Sequence, residues 1–318
     1  MAFAVPLPSG DAGIGFDDLQ FSSTLRRVIV PAGRTGRVDL VNPDDSGVTT
    51  IAGFTATDGY QSGSYSDGPT SAVEVRGLLA VIDKTASALV IADPATAQIT
   101  SSVPLAFAPD YVRRVTSTNE LWLTAPTQGQ IEVFTLSQQD PPVATNRASI
   151  PIDLGPEALV IDETRGRAYT NSFTGQTFAV DLKTRAVVET WTNGCTVSLG
   201  IALDEARGFA VIACSEGKLV VLDVAHAGAQ LSELTVGNGL DTISYSPTLG
   251  HVYAAAGAGA TLSIAGLAAD GSLTLLKDVA TAAGARCVAA DDRAHAWVCD
   301  PDRGQLLRVA DPFPAQAQ

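Results

Sequence analysis

The chain has 318 residues, an apolar fraction of 46% and a formal net charge of −14, with a pI near 4.5. This apolar fraction is typical of a globular protein and excludes extensive disorder. The acidic charge argues against a nucleic-acid partner or an anionic membrane surface, because phosphate binding needs clustered Lys and Arg. The 20 basic residues form no such run. We therefore expect no nucleic-acid partner, and the composition is compatible with a monomer.

In chain order, the first predicted element is a strand, AFAVPLP at 2–8. No basic segment precedes it, so no signal peptide is predicted, although a mature protein whose leader was removed would begin in the same way. Alternating apolar residues interrupted by polar turns then predict β-hairpins at 36–54, 88–103 and 129–152. An uncharged 18-residue run, Val252–Ala269, has the length of a membrane span. It is rich in Gly, Ser and Thr and in register with the other hairpins, so β-structure is predicted and no membrane insertion.

A short polar tract recurs in the second half of the chain. Asp162-Glu163-x-Arg165-Gly166 returns 42 residues later as Asp204-Glu205-x-Arg207-Gly208. The aligned segments are ALVIDETRGRAYTNS, GIALDEARGFAVIAC, TISYSPTLGHVYAAA and CVAADDRAHAWVCDP. Each places a polar turn between two runs of alternating apolar residues, and Asp and Gly are suited to such turns. The recurrence favours a structural role for the Asp-Glu pair over a catalytic one.

A second hairpin half follows each tract, so each unit of about 45 residues predicts four short strands. First-strand anchors fall near seven positions: Asp18, Ser71, Val112, Glu157, Leu199, Asp241 and Arg286. Seven four-stranded sheets repeated along a chain predict an all-β, seven-bladed β-propeller. A single domain over 1–318 is expected, with blades at 14–54, 70–105, 108–153, 155–193, 195–237, 239–281 and 284–310. The last unit supplies only three strands, so strand 2–8 is predicted to complete it and close the propeller.

The segment RAYTNSFTGQTFAVDLKTRAVVETW at 167–191 resembles the YVTN-repeat propeller family. Tyr169-Thr170-Asn171 corresponds to the family's Tyr-Val-Thr-Asn motif but lacks the Val. Val180-Asp181-Leu182 corresponds to the later Val-x-Val-Ile-Asp motif. Weaker echoes occur at Asp39, Asp93 and Asp223. The resemblance implies a seven-bladed propeller of the kind found in bacterial envelopes. The family has no single chemistry and therefore implies no catalytic residues. The related-looking sugar lactonases raise the prospect of lactone hydrolysis only slightly.

The four cysteines form two candidate pairs, Cys195–Cys214 and Cys287–Cys299, each at neighbouring strand positions. Their spacings of 19 and 12 match no zinc pattern, and no His accompanies them. A disulfide is favoured for the first pair, while the second pair is left open between a disulfide and buried thiols. Disulfides would point to a periplasmic or extracellular protein, although a cytoplasmic location stays open.

No GxSxG, HExxH, Walker or GxGxxG motif is present, and the three histidines fall in or beside turns. The candidate ligand-binding residues instead lie where the first strands begin, because these strands line the channel of a propeller. Beside Asp17 they are Asp18, Ser71, Asp110, Tyr111, Arg113, Glu157, Ser198, Asp241 and Arg286. Such a set suits a small polar ligand. A hydrated channel whose charges pair with one another is the competing interpretation.

The first two anchors are 53 residues apart, whereas the others are 41 to 45 apart. The excess is TATDGYQSGSYSDGP at 55–69, an insertion predicted to lie on the same face as the first-strand entrances. Tyr60 and Tyr65 are candidates for stacking on a ligand, against the alternative of an idle surface loop.

Two functions follow from these observations. The first is a non-enzymatic binding or scaffold propeller whose partner is a small polar molecule or another protein. The second is a metal-assisted hydrolase of a sugar lactone, in which Asp18, Glu157 and Asp241 would hold Ca²⁺, Mn²⁺ or Zn²⁺ to polarise the carbonyl.

Overall fold

Seven four-stranded antiparallel sheets account for nearly all the regular structure in residues 2–316, which the computed structural model describes. The strands of blades one to three, in chain order after β1 (Ala2–Pro6), are β2 (Gln20–Ser22), β3 (Arg27–Pro31), β4 (Thr35–Val41), β5 (Val48–Ala56), β6 (Pro69–Val75), β7 (Leu78–Asp83), β8 (Ala88–Asp93), β9 (Gln98–Pro104), β10 (Val112–Val115), β11 (Glu120–Ala125), β12 (Gln130–Leu136) and β13 (Ala144–Pro151). A 3₁₀ turn at Pro126–Gln128 is the one helical element in this described range.

Blades four to seven follow the same order. Their strands are β14 (Leu159–Asp162), β15 (Arg167–Asn171), β16 (Gln176–Asp181), β17 (Ala186–Thr192), β18 (Ser198–Asp204), β19 (Phe209–Cys214), β20 (Lys218–Asp223), β21 (Ala229–Thr235), β22 (Leu240–Ser246), β23 (His251–Ala256), β24 (Thr261–Leu267), β25 (Leu273–Ala280), β26 (Val288–Ala290), β27 (His295–Asp300) and β28 (Gln305–Ala310). The fold is a β-propeller, as the sequence predicts.

The last sheet has the order β1-β28-β27-β26, so the N-terminal strand completes blade seven. The backbone N–H of Leu7 also donates to Gly304 O at 3.3 Å, just beyond the strand. Val5 and Leu7 are buried, whereas Phe3 is 57% exposed. The prediction that strand 2–8 closes the last blade is confirmed.

The described chain divides into two compact units. Unit one comprises residues 5–156 and 301–305 and contains blades one to three. Unit two comprises residues 157–300 with 2–4 and 306–316 and contains blades four to six and most of blade seven. The expectation of one domain over 1–318 stays a prediction.

Burial follows strand position within a blade. All six residues are buried in the second strands β11, β19 and β23. The fourth strands β17 and β21 are mostly exposed. Middle strands are covered on both faces by neighbouring blades. Their sequences are therefore continuous apolar runs, such as FAVIAC in β19.

Blades pack face to face through these middle strands. In unit one, Ile82 and Leu89 of blade two contact Leu121 and Leu123 of blade three in one apolar cluster. Each such buried side chain contributes roughly 1.5–3 kcal/mol relative to exposure. A single blade has no partner for this surface, so the blades stabilise one another.

The repeated polar tract forms the turn between the first and second strands. Asp162 Oδ1 accepts the backbone N–H of Arg165 at 2.9 Å, and Gly166 takes a positive φ of 64°. The next copy adds a contact between blades, because Glu205 Oε1 accepts both the N–H and the hydroxyl of Thr164 at 2.8 and 2.7 Å. Each copy therefore closes its own hairpin, and the second copy also caps the turn of the first.

The Tyr-Thr-Asn segment on β15 ties blade four to blade five. Tyr169 donates its hydroxyl to Asp162 Oδ2 at 3.3 Å, and Thr170 donates to the carbonyl of Ala158 at 2.7 Å. Asn171 Nδ2 donates to the carbonyls of Leu199 and Gly200 at 3.0 and 3.2 Å. The three side chains therefore satisfy backbone and carboxylate groups that would otherwise be buried without partners.

Both cysteine pairs are disulfides, with Cα–Cα distances of 5.1 Å for Cys195–Cys214 and 5.5 Å for Cys287–Cys299. The first pair, favoured from sequence, and the second pair, left open, are thus both bonded. Disulfides persist in oxidising compartments, so the pair of them indicates an extracellular or periplasmic setting. No helix in residues 2–316 is long and apolar enough to cross a membrane.

Asp39 lies inside β4 and not in a turn. Its carboxyl is buried, and the Thr50 hydroxyl donates to Oδ1 at 2.5 Å, while Oδ2 has no hydrogen-bond partner among the described residues. Burial raises the pKa of Asp39 to about 6, against smaller lowering effects of Thr50 and Arg37. The turn after β4 is instead made by Asn42, whose Oδ1 accepts the N–H of Asp44 at 3.0 Å.

Deletion of residues 2–9 should destabilise the protein by several kcal/mol, at roughly 1 kcal/mol for each lost ladder hydrogen bond. Phe3→Ala, which keeps the backbone ladder, should change stability little. Chemical denaturation of both variants checks this. A deletion variant as stable as the full chain would contradict closure by β1.

Asp39→Asn should stabilise the protein at pH 7 and hardly at all at pH 3.5. Because the pKa of Asp39 in the folded protein, about 6, exceeds its ordinary value of 3.8, the folded state holds the proton more tightly than the unfolded chain does. Wild-type stability should therefore fall by ~3 kcal/mol as the pH rises from 3.8 to beyond 6. Unfolding free energies measured across this range check the prediction. Asp93→Asn is the control, since hydrogen bonds from Ala95 and Thr96 lower the pKa of that exposed carboxyl.

Candidate functional site

The candidate site in unit one lies where β2, β6 and β10 begin. Asp17 and Asp18 precede β2, Ser71 is in β6, and Asp110 and Tyr111 precede β10. The N–H of Asp18 donates to the carbonyl of Thr70 at 3.1 Å, which holds the first two strand entrances side by side. We call this set, together with Lys84 and Arg113, the entrance cluster.

Asp18 and Arg113 form the buried centre of the entrance cluster. Arg113 donates through Nη1 to Oδ2 at 2.7 Å and through Nη2 to Oδ1 at 3.2 Å, a two-pronged pairing. Ser71 donates its hydroxyl to Oδ2 at 2.7 Å, and Gln20 Nε2 donates to Oδ1 at 3.1 Å. The Asp18 carboxylate therefore accepts four hydrogen bonds and joins blades one, two and three.

Ser71 and Tyr111 extend this centre. The Ser71 hydroxyl oxygen accepts the N–H of Val112 at 3.1 Å, which fixes the start of β10. The buried Tyr111 ring lies 5.3 Å from the Arg113 guanidinium carbon, in cation–π geometry. Both residues thus position Arg113, and neither is exposed to a ligand.

A second ion pair lies beside the first. Lys84 Nζ is 2.6 Å from Asp110 Oδ1 and 3.9 Å from Asp17 Oδ2. Burial alone would lower the pKa of Lys84, but the two carboxylates outweigh it and the pKa is raised. Lys84 therefore stays charged and occupies the space between the carboxylates.

Lys84 is a member of the entrance cluster that is not among the residues predicted from the sequence. It lies in the turn between the second and third strands of blade two, one residue beyond β7. Such turns lie on the same face as the entrances to first strands, so its position was accessible in principle. Lys84 does not lie on a first strand, and the predicted candidates all come from first-strand entrances or the insertion.

The insertion, residues 57–68 between β5 and β6, lies against the entrance cluster. Tyr65 is 39% exposed, and its ring centroid is 5.9 Å from Lys84 Nζ. Tyr60 does not join it: its ring packs on Gly13 and its hydroxyl donates to Asp302 Oδ1 at 3.1 Å. Of the two tyrosines proposed for stacking, only Tyr65 lies beside the cluster.

Glycines form the seat of the insertion. A Cβ on Gly15 would lie 2.1 Å from Ser64 O and 3.0 Å from Tyr65 Cα. A Cβ on Gly13, which has a φ of 83°, would lie 2.2 Å from the Tyr60 ring. Close backbone approach thus requires glycine at position 15, and the positive φ beside the Tyr60 ring favours glycine at position 13.

In unit two, the predicted residues form separate contacts. Asp241 Oδ2 is 3.1 Å from Arg286 Nη1, which joins the entrances of β22 and β26. Ser198 is fully buried and donates its hydroxyl to Ser172 O at 2.6 Å. The backbone N–H of Glu157 donates to Asn171 O at 2.9 Å. Asp241 and Arg286 thus pair with each other, and Ser198 and the Glu157 backbone form hydrogen bonds that hold neighbouring segments together.

The metal hypothesis receives no support from the described side chains. Residues 2–316 contain no group of three or more His, Cys, Asp or Glu side chains that could hold a metal ion. Asp18 is committed to Arg113, and Asp241 is paired with Arg286. A cation held by Asp18, Glu157 and Asp241 stays a prediction of the sequence alone.

No protein-family model matches this sequence, and no curated protein is a significant sequence match. Solved structures match in fold. The β-propeller domain of Cps50 (Swd1) from Myceliophteria thermophila aligns with a TM-score of 0.77 at 13% identity, covering 98% of this chain and 100% of that chain. Streptogramin B lyase aligns with a TM-score of 0.75 at 10% identity, covering 97% and 96%.

A further match comes from the crystal structure of the Mitotic Checkpoint Complex, with a TM-score of 0.76 at 16% identity over 98% of this chain and 94% of that chain. At these identities the likeness shows the seven-bladed β-propeller fold and nothing about activity. The YVTN resemblance is not confirmed by a family match and stays an interpretation.

Gly15→Ala should release the insertion from its seat, because the new Cβ would meet the Ser64 backbone. Overpacking of this kind costs about 1–3 kcal/mol, so amide hydrogen exchange across 57–68 should accelerate roughly tenfold or more. Gly77→Ala is the control, since it has a φ of 81° but meets no atom within 4 Å. Equal exchange of 57–68 in both variants would show that the insertion is not held by this contact.

Proposed function

We propose that the protein is a non-enzymatic binding propeller that holds a small polar ligand at the entrance cluster of unit one. The observation that carries this proposal is the position of Tyr65. It is a partly exposed aromatic ring, on an insertion seated by glycines, directly over a charged and largely buried floor. Convergent polar groups beside an aromatic surface are typical of small-molecule sites.

The charges of the floor are balanced to within one unit. Three carboxylates, Asp17, Asp18 and Asp110, face two cations, Lys84 and Arg113, which leaves one net negative charge. An anion would be repelled by this arrangement. The expected ligand is therefore an amine or a zwitterion that stacks on Tyr65 and directs its positive group toward the carboxylates.

The cellular setting is inferred from the disulfides, and a second class of partner is inferred from the fold. The two disulfides, together with the YVTN resemblance, support a place in the bacterial envelope, periplasmic or extracellular. A protein partner is the second class of ligand for this face. It is supported by the fold itself, since one structural neighbour comes from a mitotic checkpoint complex.

Thermal-shift screening with amino acids, polyamines and simple amines tests the proposal, followed by calorimetry on any compound that raises the melting temperature. Tyr65→Ala should abolish the response because the stacking surface is lost. Phe173→Ala removes an equally exposed aromatic ring, also 39% exposed, from unit two and should leave the response unchanged. A screen without any stabilising compound, or a Tyr65→Ala variant that responds like the wild type, would refute the ligand site.

A further inference from the structure

A concave site lies in unit one, at the other end of β2 from Asp18. It is a cavity of about 180 Å³. The residues that line it come from β2, the following turn, β3 and β6: Gln20, Phe21, Ser22, Ser23, Thr24, Ile29, Val73 and Glu74. We call it the turn-side cavity. Its volume corresponds to about six water molecules at their share of liquid volume, the size of one small ring or short chain.

Hydroxyl and amide groups in the turn-side cavity have unused hydrogen-bonding capacity. The hydroxyls of Ser23 and Thr24 make no hydrogen bond within residues 2–316. Ser22 Oγ accepts the N–H of Leu25 at 3.1 Å and retains its own proton for donation. Gln20 uses Nε2 for Asp18, which leaves its amide oxygen as an acceptor. The cavity therefore offers several neutral donors and acceptors within one small space.

The one carboxylate in the lining is already compensated. Glu74 Oε1 accepts the N–H of Gly77 at 2.6 Å, and Oε2 lies 3.5 Å from Arg114 Nη1. Because this acid is paired with a guanidinium, a cationic ligand gains little from it and an anionic ligand gains nothing. The electrostatics favour a neutral ligand.

We propose that the turn-side cavity binds a neutral polyhydroxylated molecule, a single monosaccharide or a short polyol. Such a molecule has hydroxyls for Ser23, Thr24 and Gln20. Its C–H groups match the apolar part of the lining, formed by Phe21, Ile29 and Val73. The proposal is independent of the ligand at the entrance cluster, since it uses other residues and another ligand class.

Gln20 connects the two sites physically. Its amide donates to Asp18 Oδ1 and its side chain lines the turn-side cavity. A polyol that hydrogen-bonds to Gln20 therefore contacts a side chain that also holds the Asp18 carboxylate.

The test is titration of D-glucose and D-sorbitol, with ethanolamine and acetate as charged probes, followed by saturation-transfer NMR. One or both polyols should bind the wild type saturably, whereas any binding of ethanolamine or acetate should be unaffected by substitutions in the turn-side cavity. Thr24→Val and Ser23→Ala each remove one hydroxyl and should weaken polyol binding about five- to tenfold. Thr145→Val, an exposed threonine of β13, is the matched control and should bind polyols normally.

Three results would overturn the proposal. Neither polyol binds the wild type, or Thr24→Val and Ser23→Ala bind as tightly as the control, or ethanolamine alone binds and Glu74→Gln abolishes it. Tyr65→Ala distinguishes the two sites. It should retain polyol binding, and loss of polyol binding in that variant would move the polyol to the entrance cluster and refute the turn-side cavity.

Discussion

The Asp18–Arg113 ion pair is the interaction on which the entrance cluster depends. A carboxylate that is buried where a first strand begins needs a cation and hydrogen-bond donors. Asp18 obtains both from blade three and blade two, through Arg113 and Ser71. Removing one partner of such a pair typically costs 3–5 kcal/mol, because the other charge is left uncompensated.

A related pairing lies near the turn between the first and second strands in blades three, four and seven. The Asp162 carboxylate accepts a hydrogen bond from the Tyr169 hydroxyl at 3.3 Å, and the Asp291 carboxylate accepts one from the indole N–H of Trp297 at 2.8 Å. In blade three, Glu120 accepts the indole N–H of Trp122 at 3.1 Å. Different acids and aromatic donors thus perform one task, since each holds a carboxylate against the second strand of its own blade. This explains how the repeat can drift in sequence while the sheets stay alike.

The sequence predicts the strands well because hairpin alternation and turn chemistry are local properties. Seven blades, the N-terminal strand in blade seven and the Cys195–Cys214 bond all follow from spacing and pattern. Long-range pairing does not follow in this way. Lys84 was missed because its partners, Asp17 and Asp110, are brought to it only by the packing of three blades.

The placement of the insertion and the position of the turn after β4 also cannot be predicted from local sequence alone. The local sequence does not distinguish Tyr60 from Tyr65. In the structure the Tyr60 ring packs on Gly13, whereas the Tyr65 backbone lies close to Gly15 and its side chain stays 39% exposed. Asp39 resembles the turn aspartates Asp93 and Asp223, but the turn begins three residues later at Asn42, so the carboxyl is left inside β4. An aspartate near the end of an apolar run does not by itself specify which residue closes the turn.

A double-mutant cycle on Asp18→Asn and Arg113→Met, read by chemical denaturation, tests the central claim most directly. Both side chains are largely buried, with 4% and 14% exposure, and share two hydrogen bonds. We predict that each single variant is destabilised and that the double variant recovers part of the loss, with a coupling free energy of about 1.5–3 kcal/mol. Additive single-variant effects, with a coupling near zero, would contradict the account.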